Sequence, residues 1–255
     1  MVNHNPAKGH GVLGVLLLDV GNSSVKWALF DGKQFWRRGD LPREEHRQLL
    51  EALPTPEAIW IASVADDRFN QTLTESFARR WHLFPKFVKS RREGFGVKNG
   101  YAEPERLGVD RWLALIAAFR YYRNALPALI ADCGTAVTLD LLKEDGRHLG
   151  GYLLPGIELM INSLLVGASQ VRWERPVVER FRSFRPGRST EEGLFRGSLL
   201  AIVSAIMRAR PRGWSILLTG GNAPLIGDYL RADHIEVPDL VLKGLAVVAA
   251  ATEPE

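Results

Sequence analysis

Asp19-Val-Gly-Asn-Ser-Ser-Val-Lys26 gathers a carboxylate, a glycine, three hydrogen-bonding side chains and a lysine within one short segment. Glycine lets backbone come close to a phosphate, and the N–H groups of such a turn can point at it. The carboxylate cannot bind phosphate directly, since both are anions, so it would act through a hard cation such as Mg²⁺. Lys26 either reaches a phosphate oxygen from the strand leaving the turn or is a solvent lysine beside an ordinary tight turn. Asp132-Cys-Gly-Thr135 repeats the acid-x-glycine order in the second half of the chain. Two such turns facing each other across a cleft form a nucleotide-phosphate clamp. It differs from a Walker P-loop, whose G-x-x-x-x-G-K-[ST] signature the chain lacks.

Leu107-Gly-Val-Asp-Arg111 stands before a strongly helical run, Trp112–Phe119. Asp110 there has two readings. In one it serves only as an N-cap, with Arg111 a surface partner, because anionic side chains suit a helix start. In a phosphotransferase the same pair would take the proton of an acceptor hydroxyl and steady anionic oxygens. Gly150–Gly156 and Thr219-Gly-Gly-Asn-Ala223 are either plain strand-to-helix junctions or, at the latter, bare backbone along which an adenine or ribose could slide. Cys133 has no His or Lys beside it in sequence and reads as a small buried filler.

The elements that must hold these residues repeat. Val12–Leu18 is continuously apolar, as in a strand buried on both faces. The turn at Asp19–Ser24 follows, then a strand at Val25–Phe30 and an Asp31-Gly32 hairpin into Gln34–Arg37. Helix is expected around Arg43–Leu53, strand at Ala58–Ser63, helix around Arg68–Trp81 and strand at Lys86–Val88. Leu129–Ala131, the Asp132 turn, Val137–Leu142 and the Asp145-Gly146 hairpin into His148–Leu153 restate the opening. The repeated strand–turn–strand–hairpin frame points to internal duplication.

Bulk properties bound the rest. The 255 residues can bury a real core, and 46% apolar with 24% charged residues is too apolar for disorder. The net charge of +4 is spread in short pairs such as Arg37-Arg38, giving nucleic-acid binding no support. One cysteine excludes an intrachain disulfide, and neither H-E-x-x-H nor C-x-x-C occurs. Val12–Leu18 is too short for a membrane span and lacks a cleavage site, so the expectation is a cytoplasmic protein.

The ordered set resembles type III pantothenate kinases. It comprises D-x-G-N-S-x-x-K at Asp19–Lys26, N-G-Y at Asn99–Tyr101, G-V-D-R at Gly108–Arg111 and D-C-G-T-A at Asp132–Ala136. It continues with G-G-Y-L-L-P-G at Gly150–Gly156, T-E-E-G at Thr190–Gly193, T-G-G-N-A at Thr219–Ala223 and L-V-L-K-G-L at Leu240–Leu245. The resemblance implies an α/β fold of duplicated actin-like (ribonuclease H-like) domains, 1–124 and 125–255, with residues 1–12 an extension. Each domain would carry a mixed five-stranded sheet flanked by helices, with a cleft between the two. It implies ATP-dependent phosphorylation of pantothenate to 4'-phosphopantothenate, the first step of coenzyme A biosynthesis. Asp19, Val20, Gly21, Asn22, Ser23, Ser24, Val25, Lys26 and Thr135 would contact ATP. Tyr101, Gly108, Val109, Asp110, Arg111 and Thr190 would bind pantothenate, with Asp110 as catalytic base and Thr190 donated across a homodimer. Mg²⁺ would accompany ATP, and Asp132 would help hold K⁺ or NH₄⁺. No nucleic-acid or membrane partner is implied.

Three departures stand out: Ser23 where many relatives have Thr, Asn222 where many have Asp, and no Leu-Pro pair around Ser169–Trp173. Two other readings share the clamp: another actin-like small-molecule kinase, and a non-catalytic nucleotide-binding regulator. Tyr101 with Gly108–Arg111 favours pantothenate over the first, and a base at Asp110 argues against the second.

Overall fold

The structure, a computed structural model, describes residues 14–167 and 184–251, so the N-terminal extension and the Ser169–Trp173 segment lie outside the described residues. The chain divides into two compact units, 14–88 and 89–251 among the described residues.

In the first unit β1 (Val15–Val20) pairs antiparallel with β2 (Ser24–Phe30), which pairs antiparallel with β3 (Phe35–Pro42). The hairpin between β2 and β3 closes on Asp31, whose Oδ1 accepts the N–H groups of Lys33 and Gln34 at 2.8 and 2.7 Å. The helix expected over Arg43–Leu53 is shorter and broken. A 3-10 turn at Arg43–Glu45 gives way at His46 to α1 (Arg47–Ala52). β4 (Ala58–Ser63) runs parallel to β1. Asp66 then caps α2 (Asp67–Trp81) by accepting the Phe69 N–H, and β5 (Lys86–Phe87) closes the edge. The sheet order is β3-β2-β1-β4-β5. Leu16, Leu18, Val25, Ile59, Leu73 and Phe77 fill the core beneath it.

The second unit opens with a small hairpin, β6 (Glu93–Gly94) and β7 (Val97–Lys98), and then α3 (Val109–Tyr121). Next come β8 (Ala128–Cys133), β9 (Ala136–Leu142), β10 (His148–Pro155) and α4 (Ile157–Gly167). The chain continues with α5 (Thr190–Ala209), β11 (Ser215–Thr219), α6 (Ala223–Tyr229), β12 (Ile235–Glu236) and α7 (Leu240–Ala251). The order β10-β9-β8-β11-β12 reproduces the first sheet strand for strand, antiparallel and parallel pairs alike. That is the duplicated α/β frame expected from the two acid-glycine turns.

Strand alternation decides which residues the second sheet offers to each side. Leu129, Ala131, Cys133, Val137 and Leu139 enter a core with Ile202, Ile206 and Ile226 from α5 and α6. Ile130 pairs with Asp140 and Asp132 with Thr138, so these four share the opposite face, adjoining α3. α3 in turn lies along α7, where Gly244 must lack a Cβ because Leu113 backbone occupies its place.

Candidate active site

In the first unit, Asp19 ends the apolar run of β1 and faces Lys26 directly across the β1–β2 ladder. The turn between them closes with the Gly21 N–H donating to the Ser24 carbonyl at 3.0 Å. The Arg43 N–H ties the Ser23 carbonyl down at 3.1 Å. Val20 and Val25 bury their side chains in the core and so present only backbone at the turn. Asn22 and Ser23 are exposed.

The second turn is built from three separate glycine motifs. The Gly134 N–H closes it onto the Ala136 carbonyl at 3.0 Å, and the Gly156 N–H reaches the Thr135 carbonyl at 2.9 Å. Gly220, at φ +92°, lies so near Asp132 that a Cβ there would sit 2.5 Å from Oδ1. Asn222 braces the turn from the far side, its N–H donating to the Cys133 carbonyl at 2.9 Å. Its side-chain amide donates to Glu158 Oε2 at 3.5 Å. A carboxylate ringed by Cβ-free backbone suits a hard cation, which takes carboxylate and carbonyl oxygens together. Among the described residues no group of three or more His, Cys, Asp and Glu could hold a metal ion. Burial, helped by the charge of Asp132, pushes the Cys133 thiol far up, which makes it inert.

The third cluster is the most fully bonded. α3 begins at Gly108, which serves as N-cap without a side-chain bond, so Asp110 is a residue of the first turn and not the cap. Gly108 is required there, because a Cβ would sit 2.5 Å from Asp110 Oδ1. That oxygen accepts the Arg111 N–H at 2.8 Å, whereas Oδ2 accepts no hydrogen bond from the described residues. Burial pushes the Asp110 carboxyl above the ordinary carboxylate range. The N–H and charge of Arg111 oppose the rise, and the charge of Asp140 adds to it. A half-buried carboxylate of raised proton affinity is a better base than a solvated one.

Arg111 is not a surface partner. Its side chain is 5% exposed and forms a two-pronged pair with Asp140, itself 4% exposed. Nε donates to Oδ2 at 2.8 Å and Nη2 to Oδ1 at 2.6 Å, while Nη1 donates to the Tyr101 hydroxyl at 2.6 Å. Burial works against its charge, but the bonds to Asp140 and Tyr101 outweigh it and hold the guanidinium firmly protonated. His148 Nε2 also bonds Asp140 Oδ1, at 2.8 Å, and the His148 ring stacks on Tyr101 with centroids 6.1 Å apart. Tyr101, Gly108, Asp110 and Arg111 therefore come together as one constellation, with Val109 buried beneath them.

Asp140 and His148 were not singled out in the sequence. One signal was available: Val137-Thr-Leu-Asp-Leu-Leu142 buries an acid inside an apolar strand, and a buried carboxylate must find a cation or donors. Thr190 lies elsewhere in the unit and bonds to none of this cluster. It opens α5, exposed, beside the Ser189 cap that accepts the Glu192 N–H. Thr190, Gly193 and Gly197 with Ser163 and Leu164 of α4 line an open groove of about 450 Å³. Leu159, Leu164, Val166 and Leu200 are exposed on the same two helices.

The family model and the curated relatives agree on one family. Residues 15–211 match the model of the type III pantothenate kinase family. A protein named type III pantothenate kinase from Nitrosococcus oceani is 34% identical over 251 residues, covering 93% of this chain and 94% of its own. One so named from Pseudomonas aeruginosa is 37% identical over 246 residues, covering 91% and 98%. Among solved structures, a Sinorhizobium meliloti protein provisionally named a 2-dehydro-3-deoxygalactonokinase superposes with a TM-score of 0.61 at 13% identity. It covers 94% of this chain and 97% of its own. At that identity the likeness speaks to the fold alone, a duplicated actin-like one.

Proposed function

We propose that this chain, which belongs to the type III pantothenate kinase family, transfers the γ-phosphoryl group of ATP to the primary hydroxyl of pantothenate. The product would be 4'-phosphopantothenate, the first intermediate on the way to coenzyme A. The single observation that carries the chemistry is Asp110: a carboxylate of raised proton affinity, one oxygen accepting no hydrogen bond from the described residues, in the first turn of α3 beside a buried arginine.

In this reading Oδ2 of Asp110 takes the hydroxyl proton as the hydroxyl oxygen forms its bond to the γ-phosphorus. The bond from that phosphorus to the β,γ-bridging oxygen breaks, and ADP leaves with the electron pair. Tyr101, Gly108, Val109 and Arg111 hold the acceptor, whose carboxylate suits the Arg111–Tyr101 donors. Asp19 to Lys26 and Thr135 take the nucleotide phosphates through turn N–H groups, hydroxyls and the Lys26 ammonium. A divalent cation bound with ATP would supply positive charge to the phosphates. Asp132 and the backbone at Gly134 and Gly220 would hold a monovalent cation, K⁺ or NH₄⁺, that does the same from the second turn.

We further propose a homodimer in which Thr190 reaches the acceptor of the partner. The groove at Thr190 and the exposed leucines of α4 and α5 support that, since such apolar surface is usually covered. We also propose a duplication boundary near 124/125, although the compact units divide at 88/89, so that residues 89–124 would be an insertion packed within the second unit. We propose a cytoplasmic enzyme without nucleic-acid or membrane partners, in keeping with a single cysteine that lies buried.

ADP release measured with and without pantothenate tests the reading. Strong stimulation by pantothenate is expected, with sugars inactive as acceptors. Turnover with sugars instead would favour another small-molecule kinase, and no turnover with any acceptor would favour a nucleotide-binding regulator.

A further inference from the structure

The guanidinium of Arg111 carries five N–H donors in one plane. Asp140 takes two of them, on Nε and Nη2, and Tyr101 takes a third, on Nη1. The remaining N–H on Nη1 and on Nη2 have no partner among the described residues. Because the Tyr101 hydroxyl accepts from Arg111, its own proton must be donated elsewhere. Three donors are thus left around one fixed cation, a set suited to an anionic, oxygen-rich ligand.

What fixes that cation is a pair with no assigned role. A two-pronged carboxylate locks the plane of the guanidinium, which one point contact could not do. Asp140 is aimed from β9 onto the α3 side of the sheet, and its Oδ1 is shared by Arg111 and His148. The His148 tautomer follows from its two neighbours. The Gly100 N–H donates to Nδ1 at 3.4 Å, so Nε2 carries the proton and donates to Asp140. The same ring stacks under Tyr101, its plane tilted by 18°. His148 sits at the β10 bulge, where the register shifts between His148 and Gly151. Gly151 leaves room for the pair: a Cβ there would be 2.7 Å from Asp140 Oδ1 and 2.8 Å from Arg111 Nη2. His148 thereby touches both the acid that orients Arg111 and the ring that Arg111 bonds.

We propose that Asp140 and His148 are positioning residues for the acceptor: they set the orientation of Arg111 and Tyr101, and so the affinity for pantothenate, without touching it. The inference rests on the acceptor site given under Proposed function. A purely structural staple would lower thermal stability and leave both substrates alike, whereas positioning acts on one substrate only.

The experiment compares the full chain with His148→Phe, which keeps the ring but loses both nitrogen contacts, and His148→Gln, whose amide restores a donor near Nε2. KM for pantothenate, KM for ATP, kcat and Tm are measured for each. His148→Phe should raise the pantothenate KM about 10- to 100-fold, the range spanned by a lost hydrogen bond to a charged group. Its ATP KM should stay as in the parent, and His148→Gln should recover most of the loss. An unchanged pantothenate KM in folded His148→Phe, or a parallel rise in both KM values, would overturn the proposal. Should His148→Phe not fold, His148→Asn serves, since its amide reaches the place of Nδ1 but not of Nε2; the same selective rise is required. If the parent shows no pantothenate-dependent turnover, the proposed function itself falls. A responsive parent with an unselective variant sinks only the positioning role.

Discussion

The two acid-glycine turns lie at matching places in matching sheets, yet they meet opposite problems. Opposite Asp19 on the neighbouring strand stands Lys26; opposite Asp132 stands Thr138. The first turn thus sets a lysine across the ladder from its acid, whereas the second sets a threonine there. Around Asp132 the chain supplies bare backbone instead, through Gly134 and Gly220. The difference teaches how a duplicated frame diverges: one copy sets a lysine across from its acid, and the other sets a threonine there and packs glycine backbone against the acid. The second compact unit also holds what the first lacks, the segment carrying Tyr101 and α3 with the Arg111–Asp140 cluster.

If that division of labour is right, the largest effect comes from the base, which only the second unit owns. Asp110→Asn should lower kcat on the order of 10²–10⁴-fold with pantothenate KM little changed. The same variant has a stability signature with a definite sign. The folded carboxyl holds its proton above the ordinary Asp value, so the native state binds more protons than the unfolded one in that window. Stability therefore falls as pH rises through it, and the penalty persists at neutral pH. Asp110→Asn should raise Tm at pH 7 and lose that advantage below the ordinary carboxylate range. A folded variant of near-normal kcat would remove Asp110 from the chemistry.

Cation dependence comes next and bears on the turns themselves. Activity should require K⁺ or NH₄⁺ beyond the divalent ion, and Asp132→Asn should blunt that requirement. Thr138→Lys, which copies the first turn into the second, should free the enzyme from K⁺ at some loss of rate. Full activity in Tris-only buffer with Mg²⁺ would contradict a recruited monovalent cation.

The smallest effect expected is a partial recovery. Asp110→Asn and Thr190→Arg proteins, each nearly inactive, are mixed under conditions of subunit exchange. A heterodimer would then contain one pocket with both lesions and one with neither, returning up to roughly one working site per pair. Exchange seen by mass spectrometry without recovered turnover would refute the shared site.

Much of this was legible before any coordinates. Continuous apolar runs ending in Asp-x-Gly mark β1 and β8, and the Asp31-Gly32 and Asp145-Gly146 turns stand between the paired strands of both hairpins. The split at His46 was not legible, since Arg43–Leu53 carries helical residues throughout and only local geometry divides it. Arg111 looked as much like a surface residue as a buried one, because its anchor comes from β9, 29 positions along the chain. The roles of Asp140 and His148 are illegible in the sequence for the same reason: a strand acid and a hairpin histidine acquire meaning only when the sheet brings α3 over them. Residues acting through backbone at a local turn can be read from spacing. Residues acting through long-range ion pairs cannot.

The claim beneath all of these is that Asp110 deprotonates an alcohol and that phosphorus ends on that oxygen. Purified chain, ATP, Mg²⁺, K⁺ and pantothenate should yield a product heavier than pantothenate by one phosphoryl group. ³¹P NMR should show a phosphate monoester coupled to the methylene protons of the former primary alcohol, and hydroxylamine should leave it intact. A hydroxylamine-trapped acyl phosphate, with phosphorus on the carboxylate, would contradict it, because no base is needed to expose an already ionised oxygen.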